Sequence, residues 1–374
     1  MKIKWVVLAA LAVSGLMWAV SCGPVEEAEA VKLQGAGATF PEPVYNQWMY
    51  EYEQVSTTRI NYEGIGSGGG QKAIIGKTVD FAGSDAPMDA SDLDENGLLQ
   101  FPMIVGGIVP VIDIPGVENN QLKLRADVLG RIFAGDITTW NHPDILADNS
   151  EIADKLPEKR IIVVHRSDGS GTTWTFTLFL HMASPYWLAN MRGVKVDKAT
   201  GEITGELEES YGRSIKWPAG TIGQKGNPGV ANQVQQSEYS IGYVEYAYAL
   251  QTNLTTVLLE NAAGRFVSPS LETFAEAAAQ TDWTKSGVDL VPVAQGGSNT
   301  WPIVGVSFIL IHKHQEDADE AKEMLKYFDW CFAKGVASAE KLHYVAIPSS
   351  VADQVRGDWA SKLTIDDQPI NWQK

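Results

Sequence analysis

Residues 165–173 read HRSDGSGTT and close an apolar, strand-like run over 160–165. Glycine and small hydroxyl residues at a strand end mark a turn whose backbone N–H groups lie open. Three more stretches share that make-up: GAGATFP at 35–41, GIGSGGG at 64–70 and GSDAP at 83–87. In three of the four a helix pattern follows at once, so unpaired N–H groups and the positive end of a helix dipole face whatever sits at the turn. That is chemistry for holding an anion.

The side chains in these turns suit a tetrahedral oxyanion. Thr39, Ser67, Ser170 and Thr172 carry hydroxyl donors, Gly171 admits a close backbone N–H, and Arg166 adds a forked, permanent charge. Asp85 and Asp168 look misplaced beside an anion, because a carboxylate only accepts hydrogen bonds. Each needs the ligand's own proton or a neighbouring guanidinium. Phosphate near neutral pH keeps a proton and sulfate does not, so an acceptor facing the ligand admits the first and repels the second. Asp85 fits that role; Asp168, two residues from Arg166, is placed to orient the arginine.

Outward from the turns, strand-like segments at 58–62, 79–83, 105–114, 160–165, 240–244 and 306–313 alternate with helix-like ones, the pattern of an α/β fold. Val44, Trp48, Met49 and Tyr52 share one helical face. Residues 128–133 read as helix with Asp127 as N-cap, and 269–280 as helix with Ser268 as N-cap and Pro269 at the first position. Ala321, Met324, Leu325, Phe328 and Phe332 trace a helix that closes at Gly335 and buries Cys331 as an inert thiol. Residues 197–213, rich in Gly, Glu and Thr, read as an exposed insertion.

A chain of 374 residues exceeds the size at which one core splits, so two domains are expected. Lys2 and Lys4 precede an apolar run over 5–20 that is short for a membrane span, and residues 1–21 read as a signal peptide. Ala19-Val20-Ser21-Cys22-Gly23 resembles a lipobox, which makes Cys22 the lipidation site and residues 22–31 an acidic tether. With Cys22 acylated, Cys331 has no partner for an intrachain disulfide. Without the leader, 27 bases stand against 46 acids, a formal charge of about −19 that argues against nucleic acid as a partner.

The same sequence carries fragments of other functional motifs. Gly76-Lys77-Thr78 looks like the end of a P-loop, but Gln71 stands where that motif needs glycine. A serine hydrolase or phosphatase using Ser170 or Ser67 lacks the nucleophile elbow, and His165, five residues from Ser170 on a strand, could serve as base only if the fold brought it round. His312 and His314, read as solvated strand-end residues, have nothing to complete a metal site, so no metal or cofactor is expected. Twelve tryptophans raise a sugar platform, yet Trp48, Trp174 and Trp330 lie in helical patterns that favour core packing.

Taken with WPAG..GQKGNPGVA at 217–231, SIGYVEYAYA at 240–249 and WPIVGVSFILIHK at 301–313, the four turns closely resemble the periplasmic phosphate-binding proteins of phosphate ABC transporters, in the same order over 33–359. The resemblance implies a two-lobed periplasmic-binding-protein fold of type II, lobes joined by two hinge strands and the ligand between them. Lobe one would span 32–104 and 258–374, and lobe two 105–257. It further implies a monomer that binds inorganic phosphate, or failing that another oxyanion, and delivers it to membrane permease subunits. The family's ligand shell falls on Thr39, Phe40 through its backbone N–H, Ser67, Asp85, Arg166, Asp168, Ser170, Gly171 and Thr172. Gly68 stands where some relatives have serine and His165 where some have arginine; neither is a matched ligand position.

Overall fold

Residues Leu98–Asp113 form one sixteen-residue strand, buried along almost its whole length, as expected of a strand covered on both faces. The apolar signal at 105–114 catches only its second part. Gln100 and Pro102 interrupt the first part, and Pro102 is tolerated because the pairing shifts register there, with Ser307 opposite Ile104 and Phe308 opposite Pro102.

The computed structural model describes residues 30–196 and 203–373. Contacts divide the chain into Met1–Ala30 and Val31–Lys374, and the fold is that of the second unit. The expected signal peptide, the expected lipidation site Cys22 and nearly all of the expected tether lie outside the described residues. The main sheet is built from β1 (Lys32–Gly37), β2 (Arg59–Gly64), β3 (Phe81–Ser84), β4 (Leu98–Asp113), β5 (Ile162–Arg166), β6 (Ile222–Gln224), β7 (Ser240–Glu245) and β8 (Val304–His312). Their order is β2-β1-β3-β8-β4-β7-β5-β6. β1 runs parallel to β2 and β3, β5 runs parallel to β6 and β7, and β4 is antiparallel to both β8 and β7. β4 pairs with β8 through 98–107 and with β7 through 108–113, so one strand joins the two halves of the sheet.

Helices cover both faces: α1 (Glu42–Tyr52), α2 (Ser67–Ile75), α3 (Ala126–Phe133), α4 (Gly171–Ala183), α5 (Gly226–Gln235), α6 (Leu271–Ala278) and α7 (Ala318–Lys334). Val44, Trp48 and Tyr52 turn one face of α1 into the core with Met49 half-buried, and Trp48 Nε1 donates to Gly335 O at 2.8 Å. Trp174 and Trp330 pack against the same core, and Cys331 is buried within α7.

Three local expectations need correction. α3 begins after Arg125, and the Asp127 carboxylate instead accepts from Ser184 Oγ at 2.8 Å and Tyr186 N at 3.1 Å. A distant partner outcompeted the local cap. α6 begins after Ser270, which forms a capping box with Thr273, while the Ser268 carbonyl accepts from the Thr273 hydroxyl. The stretch 197–213 is not exposed throughout: residues 197–202 lie outside the described residues, but Ser210 and Gly212 are buried and Gly212 N donates to Thr177 Oγ1 at 3.2 Å.

Candidate functional site

The turns predicted to hold an anion sit at the carboxyl ends of parallel strands, the usual ligand edge of an α/β sheet. Thr39 and Phe40 follow β1, Ser67 opens α2 after β2, and Asp85 follows β3. Arg166 ends β5, Asp168 lies in the turn after it, and Ser170, Gly171 and Thr172 open α4. The two halves of the sheet bring all of these residues to one seam.

On the first half, the carbonyls of Thr39 and Phe40 accept from the hydroxyls of Tyr248 and Tyr344, each at 2.7 Å. Gly66 takes φ +83, open to glycine, to launch α2. Ser67 Oγ accepts from Asp85 N and, across the seam, from Gly171 N, both at 3.1 Å. A β-carbon on Gly171 would lie 2.5 Å from Ser67 Oγ and 2.6 Å from Asp85 Cβ, so only glycine allows this approach. A backbone bond from Gly68 N to Gly169 O, 2.8 Å, also crosses the seam.

On the second half, Arg166 is 3% exposed. Its Nε donates to Asp168 Oδ1 at 2.8 Å, its Nη2 to Asp168 Oδ2, and its Nη1 to Thr172 Oγ1 at 3.4 Å. Gly226 N, at the start of α5, donates to Asp168 Oδ1 at 3.1 Å. Burial pushes the Asp168 carboxyl up, but Arg166 and that N–H together outweigh it and hold the carboxyl below its usual value. Asp168 is thus an orienting anion.

Asp85 behaves in the opposite way. It is 1% exposed, and burial pushes its pKa up to about 7 against the opposing pull of a Ser307 hydroxyl, the Arg166 charge and Ser67. Ser307 Oγ donates to Oδ1 at 2.8 Å, while Oδ2 has only a long contact, 3.5 Å, with Ser67 Oγ. One carboxyl oxygen is therefore held and the other is available.

Sequence reasoning missed several residues here. Asn227, at the start of α5, donates from both N and Nδ2 to Thr39 Oγ1 at 3.0 Å. Its signal was legible, since GQKGNPGVA is another glycine turn before a helix and Gly226 takes φ +67. Ser307 lies on β8, far from Asp85 in sequence, and no local pattern announces it. Arg213, at the end of the supposed insertion, reaches across the seam to Gln71 Oε1. Gln71 in turn donates to Ser84 Oγ at 3.0 Å and Ala86 O at 3.1 Å, bracing the turn that carries Asp85.

The hydrolase geometry is not formed. Ser170 Oγ is the N-cap of α4, accepting from Thr173 N at 3.0 Å. His165 turns away: its ring stacks on Trp217 at 4.6 Å, and its Nδ1 meets Arg166 O at 2.9 Å. Burial lowers its pKa. His312 is tied in as well, with Nε2 2.8 Å from Ile74 O.

Residues 24–333 match the model of the PBP superfamily domain. The chain is 43% identical to the phosphate-binding protein PstS of Haemophilus influenzae over 92% of this chain and 98% of that one. It is 44% identical to the phosphate-binding protein PstS of Pasteurella multocida over 92% and 94% of the two chains. The chain belongs to the phosphate-binding protein family of the PBP superfamily. A phosphate-binding protein from Stenotrophomonas maltophilia, 21% identical, shares the fold with a TM-score of 0.65 over 89% of this chain and 95% of that one. Members of the phosphate-binding protein family are binding components of transport systems, not enzymes, which removes Ser170 and Ser67 as nucleophiles. Among the described residues, no helix is long and apolar enough to cross a membrane.

A second buried carboxyl lies near the seam. Burial pushes Glu245 up to about 8, opposed by Tyr344 Oη, which lies 2.7 Å from Oε2, and by the bond from Ala247 N, 2.9 Å. Both Asp85 and Glu245 hold protons in the folded chain at pH values where the unfolded chain has lost them. Their contribution to stability should therefore fall as pH rises through the window from about 4 to about 8 and outweigh that of His165, which is lowered by burial and works the other way. Thermal melting of the ligand-free protein should give a higher Tm at pH 5.5 than at pH 8, and Asp85→Asn with Glu245→Gln should flatten that slope. A wild-type Tm that is flat or rises toward pH 8 contradicts this.

Proposed function

We propose that the chain captures inorganic phosphate outside the cytoplasm, between two lobes, and delivers it to the permease subunits of an ABC-type phosphate importer. The observation that carries the reading is the meeting, at one buried seam, of a guanidinium, several hydroxyls and helix N-termini with a carboxyl group whose pKa is raised to about 7. Close relatives named phosphate-binding proteins support it.

In this reading Thr39, Phe40 N–H, Ser67, Arg166, Ser170, Gly171 and Thr172 donate to the phosphate oxygens. Asp168 keeps Arg166 aimed, and Asp85 Oδ2 accepts the ligand's proton. The lobes run over 32–104 with 258–374, and over 105–257; pairing of Leu258 and Leu259 with Lys123 and Leu124 favours drawing the return a few residues later. Each lobe supplies part of the shell, so the ligand gains full contact only when they close, and the closed form is what a permease can recognise. Residues 1–21 are a signal peptide, and Cys22 carries the lipid that holds the monomer at the periplasmic or cell-surface face of a membrane.

Calorimetric titration with phosphate, sulfate and a nucleotide tests the assignment. Phosphate should bind, and sulfate and nucleotide should not; equal binding of the two inorganic anions ends the reading. Asp85→Asn should narrow the ratio by admitting sulfate, from a ceiling of roughly 10⁴ to 10⁵ for a site built around a ligand hydroxyl. Lowering the pH below about 7 protonates Asp85 itself and should narrow it in the same direction.

Arg166→Lys replaces a bonded fork by a point charge and should weaken phosphate binding by about 1.5 to 3 kcal/mol. Asp168→Asn should cost less. Unchanged affinity in Arg166→Lys would place the guanidinium outside the shell.

Cys22→Ala should release the protein from membranes while leaving phosphate titration intact. Fractionation that finds the wild type wholly soluble removes the anchor from this reading.

A further inference from the structure

Three hydroxyls at the seam each accept two N–H donors. Thr39 Oγ1 accepts from Asn227 N and Nδ2, both at 3.0 Å. Thr172 Oγ1 accepts from Asn227 Nδ2 at 3.2 Å and Arg166 Nη1 at 3.4 Å. Ser67 Oγ accepts from Asp85 N and Gly171 N, both at 3.1 Å. A hydroxyl owns two lone pairs and one proton, so an oxygen with both lone pairs engaged can offer a third partner only the proton. All three are thereby donors and nothing else.

One residue arranges two of them. Asn227 is fully buried on α5 of the second half, yet it reaches Thr39 of the first half as well as Thr172 of its own. Its orientation is set by Glu245 N, which donates to Asn227 Oδ1 at 3.0 Å. A flipped amide would point its NH₂ at that N–H, so the Nδ2 donors must face the two threonines.

We propose that Asn227 is a positioning residue for anion capture, a clasp across the seam that turns the Thr39 and Thr172 hydroxyls into obligate donors. The proposal rests on the phosphate reading above and adds the device by which these two hydroxyls refuse ligand groups that are donors, leaving the ligand's proton to Asp85. Thr39 receives its two donors only when the halves meet. Apart, its hydroxyl can rotate and serve as donor or acceptor; together, it can only donate. Closure and the donor character of the site are then one event.

The experiment is a double-mutant cycle read by calorimetric titration of the full chain with inorganic phosphate. Asn227→Ala removes the side-chain donor, and Asn227→Asp keeps an acceptor for Glu245 N but sets oxygen against both hydroxyls, whose protons then turn toward it. Either change should weaken phosphate binding roughly 10- to 100-fold, the scale of a lost bond to a charged group. In a Thr39→Val, Thr172→Val background the same changes should cost less than about threefold, because no hydroxyl remains to be turned. Equal losses in the two backgrounds, or no loss in either, would mean that Asn227 only packs, and would overturn the clasp alone. A wild type that takes up no phosphate overturns the parent reading and the clasp with it. Should circular dichroism show that the Asn227 variants do not fold, the wild type still decides. Its Asn227 side-chain amide protons, assigned by NMR, should exchange more slowly once phosphate is added, and unchanged exchange rejects the clasp.

Discussion

The buried pair of Arg166 and Asp168 is the constraint around which the seam is organised. A guanidinium keeps its charge at any accessible pH, so burying one demands a partner that meets its fork with matching geometry. Asp168 takes Nε and Nη2, leaving Nη1 directed at Thr172. The same carboxylate accepts from Gly226 N, which ties the turn after β5 to the first residue of α5. Two helix N-termini, α4 with Thr172 and α5 with Asn227, are thus referenced to one ion pair. Loss of Asp168 would leave a buried charge uncompensated and both helix starts without their common reference.

The two aspartates of the site show how desolvation and charge compete. Both are pushed upward by burial. Asp168 touches the guanidinium through two bonds and is held low; Asp85 feels Arg166 only through space, is bonded chiefly by a neutral hydroxyl, and rises to about 7. A permanently ionised group can orient an arginine, whereas a group titrating near neutrality can share a proton with a ligand. The division of labour follows from where the guanidinium can reach. Residue type does not distinguish the two.

The seam itself is polar and buried. Gly68 N to Gly169 O, Gly171 N to Ser67 Oγ and Asn227 to Thr39 all join one half of the sheet to the other. Tyr344 bridges Phe40 O and Glu245, and Tyr248 bonds Thr39 O. These are groups that water would satisfy if the halves parted, so each bond contributes modestly and can be exchanged for hydration without a large penalty. β4, shared through covalent continuity and strand pairing, keeps the halves in register while the seam's contacts remain exchangeable.

Four glycine-and-hydroxyl turns, their order and their helix-start chemistry were determined by sequence alone, because a turn that needs open N–H groups or close approach restricts which residues can stand in it. The α/β alternation, the buried α1 face and the turns that carry the proposed shell were legible for that reason, while Phe40 entered only through the family resemblance. The first part of β4 was hidden by Pro102, which a register shift accommodates, and Asp127 looked like a cap until Ser184 claimed it. Ser307, Arg213 and the reach of Asn227 were decided by tertiary structure, since each acts on a residue brought close only by sheet pairing or by the meeting of the two halves. The raised pKa of Asp85 belongs with them: sequence supplies the carboxyl, but the exclusion of water that shifts it is a property of everything packed around it.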